Sequence, residues 1–210
     1  MRVPGLQAKW ISAGRMCPLW LGIAVICTHV SARAAAEDCP TAQSGRTGFV
    51  VERGEQQKSE VFHVDDGLVR TTMRYQGRML LEKTLYEGFF DLERLDRGQK
   101  IKFEPQTDLK KLFPLKTGQT RTAEFTSEAA GRQSTLAIEI RVKGTESIFI
   151  GPCKYNVLKI ERSESRGATP PRFVDAEYYS PELKLVLARE YRKGTGTELI
   201  KYDRIYTLKR

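Results

Sequence analysis

The sequence predicts an all-β protein: a single antiparallel domain of many short strands, built as a curled sheet, a half-barrel or a sandwich. Three observations carry this. Apolar and polar residues alternate with period two through most of the chain, the mark of half-buried strands. Turn signals recur at short intervals between the alternating runs. A single segment, near residues 107–113, has helical spacing, so the chain lacks the crossover helices that parallel strands need.

The elements follow in order. The chain opens with a basic segment (Arg2, Lys9, Arg15), an apolar run from Cys17 to Val30 and a small-residue exit, Ser31-Ala32-Arg33-Ala34-Ala35-Ala36. That is the layout of a cleavable secretory signal, so residues 1–36 are read as a signal peptide cut after Ala34 or Ala36. The apolar run is shorter than the roughly 20 residues of a spanning helix. No later segment is long and apolar enough either, so no transmembrane anchor is expected after cleavage. Ile26 before Cys27 and Asp38 before Cys39 do not suit lipid attachment. Met1 and Met16 are both candidate starts. The expected address is a Gram-negative-type periplasm.

Residues 37–46 read as an N-terminal tail and residues 47–210 as the β domain. Strand formers dominate 47–53, 58–65, 68–76, 78–87, 89–95 and 99–104, then 119–127, 133–143, 146–150, 153–165, 173–180, 184–192 and 198–208. Val69, Thr71, Met73 and Tyr75 alternate with Arg70, Thr72 and Arg74. Leu136, Ile138, Ile140 and Val142 alternate with Thr135, Ala137, Glu139 and Arg141, and Leu183, Leu185 and Leu187 begin another such run. Asp65-Asp66-Gly67, Gln76-Gly77, Lys143-Gly144 and Gly194-Thr195-Gly196 supply turn chemistry, as does Ser180-Pro181-Glu182-Leu183. The helical exception is Thr107–Phe113, with a capping pair, an apolar trio (Leu109, Leu112, Phe113) and a stop at Pro114.

Composition sets further bounds. Residues 37–210 carry 31 basic and 26 acidic side chains, a net charge of +5. The excess lies in residues 151–210, with 13 basic against 8 acidic. Either this is a solvated surface, or it attracts an anionic partner such as lipid headgroups or lipopolysaccharide. Export makes nucleic acid a poor partner. Cleavage leaves two cysteines, Cys39 and Cys153. An even pair in an oxidising compartment points to a disulfide. A metal site would need more ligands, and His63 is the remaining histidine, so no metal and no cofactor are expected.

No catalytic constellation emerges. A Ser-His-acid set would have to use His63, and there is no Gly-x-Ser-x-Gly elbow. His63 lies in Glu60-Val61-Phe62-His63-Val64 and suits a part-buried position. Asp65, Asp66, Asp91 and Glu93 are ordinary turn and strand carboxylates. The aromatic residues are more suggestive. Tyr178, Tyr179, Tyr191, Tyr202 and Tyr206 cluster in the last hairpins with Arg189, Arg192 and Arg204. On a strand, Tyr202, Arg204 and Tyr206 share one face, and Lys201, Asp203 and Ile205 the other. Such a surface is a candidate binding site for an anionic or glycan ligand, or else it is simple cross-strand pairing.

Residues 143–200 carry a recognisable pattern. Lys143-Gly144-Thr145-Glu146-Ser147-Ile148 is followed by Ile150-Gly151-Pro152-Cys153-Lys154-Tyr155, a strand from Asn156 to Glu161, and then Ala176-Glu177-Tyr178-Tyr179-Ser180-Pro181-Glu182-Leu183. This resembles a loose group of exported bacterial β-proteins of unknown function, distantly like the half-barrels that carry lipoproteins or lipid across the periplasm. Tyr178 stands where tryptophan is common in the group, and Lys184 where glycine is common. The resemblance brings no catalytic residues. It implies a half-barrel in which Leu136, Ile138 and Ile140 share an apolar interior with Leu183, Leu185 and Leu187, flanked by the basic and tyrosine-rich final strands.

The expected function is therefore a non-enzymatic periplasmic or envelope-associated protein that binds an acyl or other apolar ligand, with a lipid, a lipoprotein or an anionic envelope component as partner. The alternatives are an envelope enzyme acting on cell-wall or lipid material, and an assembly factor without a small ligand.

Overall fold

The computed structural model describes residues 38–167, 169–193 and 195–208; the signal peptide assigned to residues 1–36 lies outside them. Among the described residues a short helix, α1 (Ser44–Thr47), leads into thirteen strands. The first six are β1 (Phe49–Arg53), β2 (Gln57–His63), β3 (Leu68–Tyr75), β4 (Arg78–Tyr86), β5 (Phe90–Asp96) and β6 (Gln99–Pro105). The others are β7 (Thr120–Ala129), β8 (Arg132–Ile150), β9 (Cys153–Arg166), β10 (Thr169–Ser180), β11 (Leu185–Lys193), β12 (Gly196–Lys201) and β13 (Arg204–Thr207). The helical segment expected near 107–113 is a 3-10 turn, Leu109–Leu112, capped by Asp108, which accepts from the Lys110 backbone N–H.

All these strands form one antiparallel sheet, ordered β12-β11-β10-β9-β8-β7-β6-β5-β4-β3-β2-β1-β13. Each strand from β2 to β12 pairs with its predecessor, as tight turns require. At Gln76-Gly77 both turn residues have positive φ (50° and 76°), the left-handed pair that matches hairpin twist. β13 departs from the meander and pairs with β1 at the opposite edge. This fixes the shape. Laid flat, thirteen strands would span about 60 Å. Two residues, Tyr202 and Asp203, join β12 to β13 and reach on the order of 10 Å. The sheet must curl until its edges meet there. Tyr202 N–H donates to the Leu187 carbonyl of β11 (3.5 Å), and Asp203 N–H to the Glu52 carbonyl of β1 (2.8 Å). The curl is unclosed, because β12 and β13 do not pair.

Two one-residue slips decide which way side chains point. In β8, Val142 pairs with Ile160 and Gly144 with Lys159, leaving Lys143 as the extra residue. A bulge of this kind reverses the faces beyond it. Leu136, Ile138, Ile140 and Val142 therefore pack in one core cluster, and Ile148 and Ile150 in another, although all six numbers are even. In β11, Ala188 pairs with Tyr178 and Val186 with Tyr179, so Leu187 is the extra residue. Strands β9 to β11 are apolar on both sides. Val157, Tyr178 and Leu185 join the first cluster with Phe49, Val51 and Ile205; Leu158, Tyr179 and Val186 join the second with Phe90, Phe103 and Phe125.

This corrects three expectations. The shared apolar interior does not form, since Leu136, Ile138 and Ile140 lie in one cluster and Leu183, Leu185 and Leu187 in the other. Residues 133–143 and 146–150 are a single bulged strand, and 198–208 is two strands, because β12 changes partner at Tyr202. The tail also contains a helical turn, α1.

Cys39 and Cys153 are joined, with Cα atoms 5.5 Å apart across 114 positions. The Tyr155 hydroxyl adds a second tie, donating to the Pro40 carbonyl at 3.2 Å. Among the described residues no helix is long and apolar enough to cross a membrane.

Candidate functional site

The curl encloses a cleft of about 440 Å³ between β1–β5 and β9–β12. Its floor is buried: Val61, Leu85, Phe89, Leu187 and Ala188. Arg53, Tyr191 and Lys201 line it at exposed positions. An apolar groove was expected, but in this cleft charged side chains stand among the apolar ones. Among the described lining residues six are basic (Arg53, Lys83, Arg94, Arg162, Arg189, Lys201) and three acidic (Asp91, Glu164, Glu177). Of the faces expected to form a groove, Leu136, Ile138 and Ile140 are packed in a core away from the cleft, whereas Leu185 and Leu187 line it.

The charges are organised around two carboxylates. Asp91 on β5 accepts from Lys83 of β4 at 3.2 Å and from the Arg94 guanidinium on its own strand. A bulge between Thr84 and Leu85 sets this register. Burial would raise the Asp91 carboxyl, but Lys83 and Arg94 hold it below the usual carboxylate range. Burial lowers the Lys83 ammonium; Arg94 and Arg189 repel it further, against the attraction of Asp91. Lys83 and Arg189 reach this cleft from β4 and β11, strands far apart in sheet order.

The second carboxylate, Glu177 on β10, is 2% exposed. Its Oε1 accepts from Arg189 Nε at 2.7 Å, and its Oε2 lies 3.7 Å from Arg162 Nη1, too far for a hydrogen bond. Oε2 has no hydrogen-bond partner among the described residues. Arg162 also donates to Glu164 Oε1 (2.6 Å from Nη2) and to the Phe89 carbonyl (3.3 Å), with its guanidinium 5.4 Å from the Phe89 ring centre. Burial disfavours the Arg189 cation, yet Glu177 keeps its pKa above the ordinary value. Arg189 reaches the Glu177 side of the sheet because Leu187 is bulged out of register.

The residues singled out from sequence divide among four places. Arg189, Tyr191 and Tyr202 line the cleft, and burial raises the Tyr202 phenol. Tyr178 and Tyr179 are buried. Tyr178 donates to Glu190 at 2.8 Å with Lys159 over its ring; Tyr179 donates to the Glu87 carbonyl at 2.7 Å. Arg204 and Tyr206 both engage Glu52, at 3.4 and 2.6 Å. Tyr202 leaves their face because the chain changes partner at 202–203, so it packs beside the cluster holding Ile205. Arg192 is exposed and does not line the cleft.

Sequence reasoning set Asp91 aside as an ordinary strand carboxylate and did not single out Lys83, Arg94, Arg162 or Glu177 as site residues. Glu177 carried a usable signal, since it stands within the run Ala176-Glu177-Tyr178-Tyr179-Ser180, all of it buried. His63 is part-buried and lies outside the cleft, with Nε2 2.8 Å from the Leu183 carbonyl. Among the described residues no group of His, Cys, Asp and Glu is placed to hold a metal ion.

No protein-family model matches the chain, and no curated protein matches it. A solved structure similar to it is that of the hypothetical lipoprotein YmcC from Escherichia coli K12, at 12% sequence identity and a TM-score of 0.45, covering 73% of this chain and 86% of that one.

Proposed function

We propose that this is an exported, non-catalytic binding protein of the cell envelope that holds an amphipathic anion in the cleft. One observation carries the reading: a cleft of about 440 Å³, within the size range of small-ligand sites, lined by six cations against three carboxylates. Arg189 is the centre of the site. Glu177 engages its Nε and orients the guanidinium, as a pre-organised receptor for carboxylate or phosphate requires. Met73, Leu81 and Leu85 supply an apolar wall for the rest of the ligand. The Cys39–Cys153 disulfide and the signal-like start of the chain support an oxidising compartment outside the cytoplasm.

The test is titration with dansylaminoundecanoate, a fluorescent fatty anion, in competition with decanoate and with neutral decanol. Binding that decanoate displaces and decanol does not is the expected result. The double variant Lys83→Ala, Arg189→Ala should bind at least about tenfold more weakly, since each charge-assisted contact contributes roughly 1.5–3 kcal/mol. Absence of probe binding, or full affinity in the double variant, would overturn the reading; because Arg189→Ala also strips the buried Glu177 of its partner, circular dichroism checks that the variant is folded at the titration temperature.

A further inference from the structure

The turns at one end of β1–β6 form a second feature, separate from the interior of the cleft. The β1–β2, β3–β4 and β5–β6 turns lie side by side, tied by Gln76 N–H to the Gln56 carbonyl (3.0 Å) and Arg97 N–H to the Leu80 carbonyl (3.1 Å). The β3–β4 hairpin ends in Arg74-Tyr75-Gln76-Gly77-Arg78-Met79, with Tyr75 45% and Met79 51% exposed. Tyr75 pairs with Arg78, and Arg74 with Met79. Cross-strand partners share a face, so each side of this tip presents one arginine and one large apolar residue. Arg53 and Arg97 on the neighbouring turns are also exposed, beside Glu55 and Asp96, whose Oδ1 lies 3.9 Å from Arg97 Nε, so four arginines stand against two carboxylates at this end. At the other end of the same strands the β2–β3 and β4–β5 turns carry Asp65, Asp66 and Glu87, the last paired with Lys184, and the longer β6–β7 connection carries Lys110, Lys111 and Lys116 beside Asp108. Alternate hairpins turn at the same end, and among the tight turns of β1–β6 those at the end holding the exposed tyrosine and methionine are net basic.

We infer that these hairpin tips dock on an anionic lipid bilayer, with Tyr75 and Met79 entering the interface and the arginines meeting phosphate. Charge complementarity selects this partner. Cations beside aromatic and apolar side chains suit the headgroup layer, where each basic residue gains from the negative surface potential and each apolar one from leaving water. The position adds a reason. Arg53, Met73 and Leu81 line the cleft and sit within two residues of the tips. Docking therefore brings the cleft to the lipid surface, where an amphipathic anion is available.

Vesicle flotation of the purified chain tests this, comparing phosphatidylcholine vesicles with vesicles that also contain phosphatidylglycerol. Binding should require phosphatidylglycerol and should weaken as salt rises from about 0.05 to about 0.5 M. Arg74→Glu with Arg78→Glu should reduce it by at least about tenfold, since each reversal replaces an attraction with a repulsion. Tyr75→Ala with Met79→Ala should weaken binding while keeping its salt dependence. All four positions are exposed, so melting temperatures should stay near that of the parent and confirm folding. Equal binding to both vesicle types, no binding to either, or parental binding by the charge-reversed variant would overturn the inference. The cleft reading is separable. The tip variants should keep full affinity for dansylaminoundecanoate, whereas Lys83→Ala, Arg189→Ala should lose the probe and keep the vesicles.

Discussion

Glu177 and Arg189 sit directly opposite each other on β10 and β11, and Arg189 Nε donates to Glu177 Oε1 at 2.7 Å. The pair exists because a one-residue bulge at Leu187 turns Arg189 to the Glu177 side. It places a carboxylate almost free of solvent behind a guanidinium whose side chain is 43% exposed.

Glu177→Gln should therefore destabilise the fold. The amide leaves Arg189 and Arg162 without their shared counter-charge. A fully buried pair broken this way costs about 3–5 kcal/mol; the exposure of Arg189 reduces the expected loss to about 2–3 kcal/mol. Urea unfolding followed by circular dichroism measures it. An unchanged midpoint would mean that solvent in the cleft compensates both arginines.

Cys39→Ser with Cys153→Ser should cost about 4 kcal/mol, because the bond closes a loop of more than a hundred residues in the unfolded chain. The parent protein under a reducing agent should unfold at the same urea concentration as the double variant. A reduced parent as stable as the oxidised one would show that the Tyr155 hydroxyl and Pro40 contact suffices to hold the tail.

Gly88→Ala should be severely destabilising. A Cβ there would lie 1.5 Å from the Lys184 carbonyl oxygen, where the β4–β5 turn meets the β10–β11 turn. Backbone must move to admit it, at a cost of about 3 kcal/mol or more. Gly77→Ala is the control: its φ of +76° is equally left-handed, but no atom lies within 4 Å of the added methyl. That change should cost about 1 kcal/mol. Equal melting temperatures for the two variants would refute the steric account.

Stability should fall as pH drops from about 7 towards 5, through His63. Burial holds its imidazole below the ordinary value, against the opposing effect of the Leu183 carbonyl. The unfolded chain therefore takes up the proton at higher pH than the folded one. The stabilisation is complete above the unfolded pKa and is lost as pH falls towards the folded one. Melting temperatures at pH 7.5 and 5.5 should differ more for the parent than for His63→Gln. Equal differences would assign the pH dependence to other groups.

Much of the strand pattern was legible from residue order. The alternation of Leu136 to Val142 marks a strand whatever lies beside it. Gln76-Gly77 favours a hairpin by its own backbone preferences, Asp108 and Pro114 bound the 3-10 turn, and Cys39 and Cys153 are the two cysteines beyond the signal-like segment, so each has one candidate partner. These are local or compositional signals. The bulges at Lys143 and Leu187 are not, because a register slip is defined by the partner strand, and the alternation reads smoothly across it.

The site was legible in part for the same reason. Arg189, Tyr191 and Tyr202 drew notice as aromatic and basic residues close together in the last hairpins. Lys83, Asp91, Arg94 and Arg162 look like any charged residues on a solvated strand face. Residue order determined that β4 carries Lys83 on one face with Leu81 and Leu85, and that β5 and β9 carry Asp91, Arg94 and Arg162. The tertiary structure decided that this face points inward. Two residues join strands at opposite edges of the sheet, so it has to curl, and the curl sets the Lys83 side of β4 against the Arg189 side of β11.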